Sequence, residues 1–114
     1  MTRRARDTRG GPEDTYQTRI IDYATAHGWL VMHVRKVQVR RGVFVTPTSV
    51  AGYPDLTLLR EGCMVLLEVK AKGKRSTATP EQLAWIGTAA TVPGVHAYVV
   101  TPDEEEHVRA LLAR

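Results

Sequence analysis

Tyr16, Ile20, Tyr23, Ala24 and His27 recur at three- and four-residue steps near the start of the chain, the spacing of one buried helix face. The pattern predicts a helix from about Pro12 to His27. Pro12 suits a first helical turn, Glu13 and Asp14 suit the positive end of its dipole, and Gly28 suits a left-handed cap. Trp29 to Val37 is apolar and β-branched and predicts a strand. Gln38 to Tyr53 contains Gly42, Pro47, Thr48, Ser49 and Gly52 and predicts a loop, with room for a short hairpin arm around Val43 to Val45. Two apolar strands follow, 55–60 and 64–70, joined by a turn at Arg60-Glu61-Gly62. After a basic, small-residue loop from Ala71 to Ala78, Thr79-Pro80-Glu81-Gln82 starts a helix to about Thr91, with threonine as N-cap, proline first and glutamine third. Pro93-Gly94 turns into a strand, Val95 to Val100. Thr101-Pro102-Asp103-Glu104 repeats the capping pattern and opens a last helix to Ala113. The order is α-β-β-β-α-β-α, which predicts an α/β domain with a central mixed sheet flanked by helices.

Composition narrows the class. The 114 residues are 43% hydrophobic and 25% charged, enough for one soluble domain with a modest core. Residues 1–11 read as a flexible basic arm and 12–114 as the single domain. No apolar run approaches the roughly 18 residues of a membrane span. The basic N-terminus lacks the apolar segment of a signal peptide, and the one cysteine, Cys63, excludes an internal disulfide or a multi-cysteine zinc site. The expectation is a cytoplasmic protein with neither a membrane nor a small-molecule cofactor as partner. The net charge of +4 and pI near 9.6 favour a polyanion. The basic residues cluster at Arg3 to Arg9, at Arg35, Lys36, Arg40 and Arg41, and at Lys70, Lys72, Lys74 and Arg75.

The candidate chemistry lies in Gly52 to Lys70. Three charged residues, Asp55, Glu68 and Lys70, interrupt two otherwise apolar strands, and charge in a strand pair is costly unless it is paired or binds a metal. Strand side chains alternate, so Glu68 and Lys70 share a face and Val69 points into the core. If the two strands pair through the tight turn, Asp55 comes to the end that holds Glu68. Two carboxylates suit Mg²⁺, which prefers oxygen ligands and keeps several waters. Such a cation acidifies an attacking water and offsets charge growing on phosphate. Lys70 would hold the scissile phosphate or the water. Each residue also has a plainer reading. Glu-X-Lys on a strand is usually a solvated face, Glu13 can serve a helix dipole alone, and Gln82 can serve a capping box alone. Trp29 and Trp85 read as core, with base stacking by Trp85 as the lesser reading, and His27 and His33 as core-edge or groove residues.

Taken in order, these motifs resemble a known family. Pro54-Asp55 followed by Glu68-Val69-Lys70 resembles the PD-(D/E)XK nuclease motif, and the element order resembles its restriction-endonuclease-like core. The nearer likeness is to the VRR-NUC branch, through Glu13, Gly28-Trp29, His33, Gly52-Tyr53-Pro54-Asp55, Glu68-Val69-Lys70 and Pro80-Glu81-Gln82. The resemblance runs from Glu13 to about Pro102. It implies cleavage of DNA phosphodiesters with Mg²⁺ or Mn²⁺, and the stand-alone form leads to the expectation of a phage or bacterial source. Asp55 and Glu68 would be metal ligands, with the Val69 carbonyl a third and Glu13 another, directly or through water. Lys70 would be catalytic, and Glu13 and Gln82 would join the catalytic set. Arg40, Arg41, Lys72, Lys74 and Arg75 are assigned to nucleic-acid contact on charge alone. The expected activity is a structure-selective endonuclease acting on branched, flapped or Holliday-junction-like DNA. Cutting both strands of a symmetrical junction would call for a homodimer. The alternatives are a catalytically inactive DNA-binding module of the same fold and a structural ion-pair cluster.

Overall fold

Tyr16, Ile20 and Ala24 are buried on the inner face of helix α1 (Pro12–Ala26), as the three- and four-residue spacing requires. A computed structural model describes residues 12–34, 37–41, 43–45 and 50–114, of which 12–14, 37–40 and 43–45 are described in their backbone only. The basic arm expected over residues 1–11 lies outside the described residues. α1 ends in a Schellman motif: Gly28 takes a φ of 83°, its N–H donates to Thr25, and the Trp29 N–H reaches back to the Ala24 carbonyl at 3.0 Å.

The remaining elements are β1 (Leu30–His33), β2 (Val37–Arg40), β3 (Val43–Val45), β4 (Leu56–Arg60), β5 (Cys63–Val69), α2 (Pro80–Ala89), β6 (Val95–Val100) and α3 (Glu105–Ala113). Short 3-10 turns cover Arg75–Thr77 and Pro102–Glu104. The single strand expected from Trp29 to Val37 is instead two strands in different sheets: β1 ends at His33, and Val37 already belongs to the hairpin β2–β3. That hairpin enlarges the arm anticipated around Val43. Continuous β propensity in the sequence carries no mark of where one sheet is left for another.

The main sheet has the order β1-β4-β5-β6. β4 runs antiparallel to β1 and β5, and β6 runs parallel to β5, so the sheet is mixed. Arg60 pairs with Cys63 across the tight turn and Leu56 with Leu67. The parallel β5–β6 pair needs a crossover, and α2 supplies it. Leu56, Leu58, Val65, Leu67, Val69 and Val100 form the core with Tyr16, Ile20 and Ala24 of α1 and with Trp29, Val108 and Leu112. By alternation Leu66 and Glu68 point the other way, toward α2, which packs on β5 and β6.

Trp29, expected in the core, is there, and its indole N–H donates to the Leu112 carbonyl at 2.8 Å. The Arg60 guanidinium stacks 4.3 Å above its ring and donates to the carbonyls of His27, Leu112 and Arg114. The Leu112 carbonyl at the end of α3 and that of Arg114 just beyond it thereby find donors. Among the described residues no helix is long and apolar enough to cross a membrane.

Candidate metal centre

Asp55 sits one residue before β4, at the end of a turn whose Pro54 is fully buried. Its Oδ2 accepts the Val69 N–H at 2.9 Å, and its carbonyl accepts the Val34 N–H at 2.9 Å. The carboxylate is therefore fixed across the strand ends, against β5. Glu68 is 3% exposed. Its Oε2 accepts from the Gln82 amide nitrogen at 2.9 Å and lies 3.4 Å from the Lys70 ammonium. Val69, between them, is buried on the core side, as alternation predicts.

The other Glu68 oxygen, Oε1, is buried without a hydrogen-bond partner among the described residues. A buried oxygen in that condition is destabilising unless a donor or a cation meets it. Burial pushes the Glu68 carboxyl up from 4.5 to about 7, and the neighbouring Asp55 charge adds to the rise, while Lys70 pulls the other way. Two carboxylates that resist simultaneous ionisation and one unmet buried oxygen are what a divalent cation would relieve. The donors are hard oxygens, which fits Mg²⁺ or Mn²⁺. Among the described residues no group of three or more His, Cys, Asp or Glu side chains is placed to hold a metal ion.

Gln82 closes the capping box weighed for it and also reaches Glu68. Its backbone N–H donates to Thr79 Oγ1 at 3.1 Å, and its side-chain oxygen accepts the Thr79 N–H at 2.9 Å, closing the capping box of α2. With the amide oxygen so engaged, the amide nitrogen is left facing Glu68. Gln82→Ala should therefore lower the unfolding free energy by about 1–2 kcal/mol and Thr79→Ala by about 1 kcal/mol. The double variant should lose less than the sum, because the bonds are reciprocal; urea titration of the four proteins measures this.

The remaining sequence candidates are distributed differently. Glu13 lies in the first turn of α1, and its side chain, like that of Arg40 in β2, falls outside the described residues. Arg41 is exposed. Arg75 is engaged within the chain: it donates to the Val99 carbonyl at 2.5 Å and pairs with Glu104. Lys72 is exposed and 3.8 Å from Asp103, and Lys74 is exposed. The acidic turn before α3 thus holds part of the basic loop. Trp85 is half-buried, edge-on to Tyr53 with ring centroids 5.0 Å apart, and Tyr53 bonds Thr57 through its hydroxyl at 2.8 Å. Neither link was legible in the sequence, although an aromatic residue inside a Gly-X-Pro-Asp turn marked the position. The chain matches no known family model, no curated protein and no solved structure.

Proposed function

We propose that this chain is a divalent-metal-dependent endodeoxyribonuclease of the restriction-endonuclease-like, VRR-NUC type, hydrolysing DNA phosphodiesters. The observation that carries the reading is the buried Glu68 carboxylate beside Asp55, whose Oε1 meets no donor among the described residues. Among the described residues no donor of the ion-pair cluster reaches Glu68 Oε1, and a cation there would meet it. With the β2–β3 hairpin set aside, the element order is the one the sequence resemblance implies.

Asp55 and Glu68 would hold the cation, with the Val69 carbonyl as a further ligand and Glu13 as the candidate from α1. The bound cation supplies Lewis acidity toward the phosphate and its attacking water. Lys70, 14% exposed at its side chain and drawn toward Glu68, places a compact positive charge where a phosphate oxygen or the water would lie. Gln82 holds the Glu68 carboxylate in place. Selectivity for branched or flapped DNA and action as a homodimer belong to the same proposal.

The test is cleavage of linear, flapped and four-way DNA with Mg²⁺, with Mn²⁺ and with chelator. Cutting that needs the metal and is fastest on a branched substrate supports the proposal. Salt-sensitive binding without cutting under any condition would replace it with the inactive DNA-binding module. Failure of Mg²⁺ to raise the melting temperature would favour the ion-pair cluster, since a ligand at a hundred times its Kd stabilises the folded state by about 2.7 kcal/mol.

A further inference from the structure

Gly52 has a φ of 83°, and a Cβ built on it would lie 2.6 Å from the Glu81 carbonyl carbon, 2.7 Å from the Gln82 nitrogen and 2.7 Å from the Glu81 Cβ. Two of those atoms are backbone, so no side-chain rotation could relieve the clash. The turn that carries Asp55 is therefore seated directly on the first turn of α2.

The two elements that meet there are the two that grip β5. Asp55, three residues beyond Gly52, takes the Val69 N–H. Gln82, at the contact itself, takes Glu68 Oε2. The path runs from the turn through Asp55 to Val69, one residue along β5 to Glu68, then through Gln82 to the start of α2 and back to Gly52. A shift at the seat has to change the separation of the two carboxylates or break one of these bonds. Tyr53 against Trp85 buttresses the same junction.

We infer that Gly52 is a positioning residue for the metal site, setting the Asp55 turn against the Gln82 helix so that Asp55 and Glu68 stand at the spacing one cation requires. This rests on the proposed metal-dependent function and adds to it a residue that touches neither metal nor substrate. The chain contains its own control. Gly62 has a φ of 76° and nothing within 4 Å of its would-be Cβ, so Gly62→Ala imposes left-handed strain without a close approach.

The experiment titrates Mg²⁺ into the full-length wild type, Gly62→Ala and Gly52→Ala, reading the rise in melting temperature and, separately, the Mg²⁺ concentration for half-maximal cleavage. Gly62→Ala should melt lower and keep the wild-type half-saturation. Gly52→Ala should need at least about tenfold more Mg²⁺, equivalent to about 1.4 kcal/mol of lost metal binding. Equal half-saturation in the two alanine variants overturns the inference and leaves the nuclease proposal standing. A wild type that answers to Mg²⁺ in neither measurement overturns both. Should Gly52→Ala not fold, the same junction is loosened by Trp85→Ala, which removes the ring packed on Tyr53 without adding bulk at Gly52. The inference then requires an about tenfold weaker Mg²⁺ response in Trp85→Ala than in wild type, and an unchanged half-saturation overturns it.

Discussion

Replacing Glu68 by alanine should reduce Mg²⁺-dependent DNA cleavage by at least about a thousandfold, while the folded state survives. The size follows from the several kcal/mol of charge stabilisation that a catalytic cation supplies, and Glu68 is one of the two carboxylates placed to hold it. Survival of the fold follows from the unfavourable state of the side chain in the absence of metal. It is buried, one oxygen meets no donor among the described residues, and its ionised form is opposed by burial and by Asp55. Removing such a group takes away a liability along with the interactions of Gln82 and Lys70. Asp55→Ala should lose a similar factor in rate but also destabilise, because it strips the acceptor from the Val69 N–H; a buried donor without a partner costs about 1–3 kcal/mol. Asp55→Asn keeps an oxygen for that bond and is the cleaner variant. Initial rates on a branched substrate, with far-ultraviolet circular dichroism on each protein, separate loss of chemistry from loss of fold. Cleavage within threefold of wild type in both Glu68→Ala and Asp55→Asn would remove these residues from the metal site.

The parts of the fold written in local spacing were legible before the structure. The buried face of α1, the β4–β5 pair, the strand Val95–Val100 and the two capping threonines all depend on residues within a turn or a hairpin of one another. The division of Trp29–Val37 between two sheets was not legible, because pairing partners far along the chain decide it. The site behaved likewise. That Glu68 and Lys70 would share a face followed from a period of two. That Gln82 would cap α2 and hold Glu68 at once depends on where the crossover from β5 sets the helix down. Charge alone assigned Arg75 to phosphate, yet the Pro102–Glu104 turn, almost thirty residues later in the sequence, claims it through Glu104. Local pattern thus supplied the functional groups, and long-range docking decided which of them face one another.

Between pH 5 and 8 the stability of the metal-free protein should fall relative to Glu68→Gln, and added Mg²⁺ should abolish the fall. The Glu68 carboxyl titrates near 7 in the fold against 4.5 for an unburied glutamic acid, so between those values the folded chain holds a proton that the unfolded chain has released. Stability then decreases as pH rises. The contribution of the protonated form is fully present below about 4.5 and is lost as pH passes through about 7, a difference of roughly 3 kcal/mol. Glu68→Gln cannot ionise at this position, and its stability lacks that component. A cation that uses Glu68 as a ligand must displace the same proton. Its apparent affinity should weaken about tenfold for each pH unit below 7 and level off above it, and the cleavage rate at subsaturating Mg²⁺ should follow. Urea denaturation of both proteins at several pH values, with chelator and with saturating Mg²⁺, measures the stability component; Mg²⁺ titrations at the same pH values measure the affinity component. A wild-type minus Glu68→Gln difference that is flat from pH 5 to 8 would mean that Glu68 is ionised throughout. The unmet Oε1 would then carry its negative charge in the fold without metal, and the case for a cation-relieved carboxylate pair would have to rest on cleavage alone.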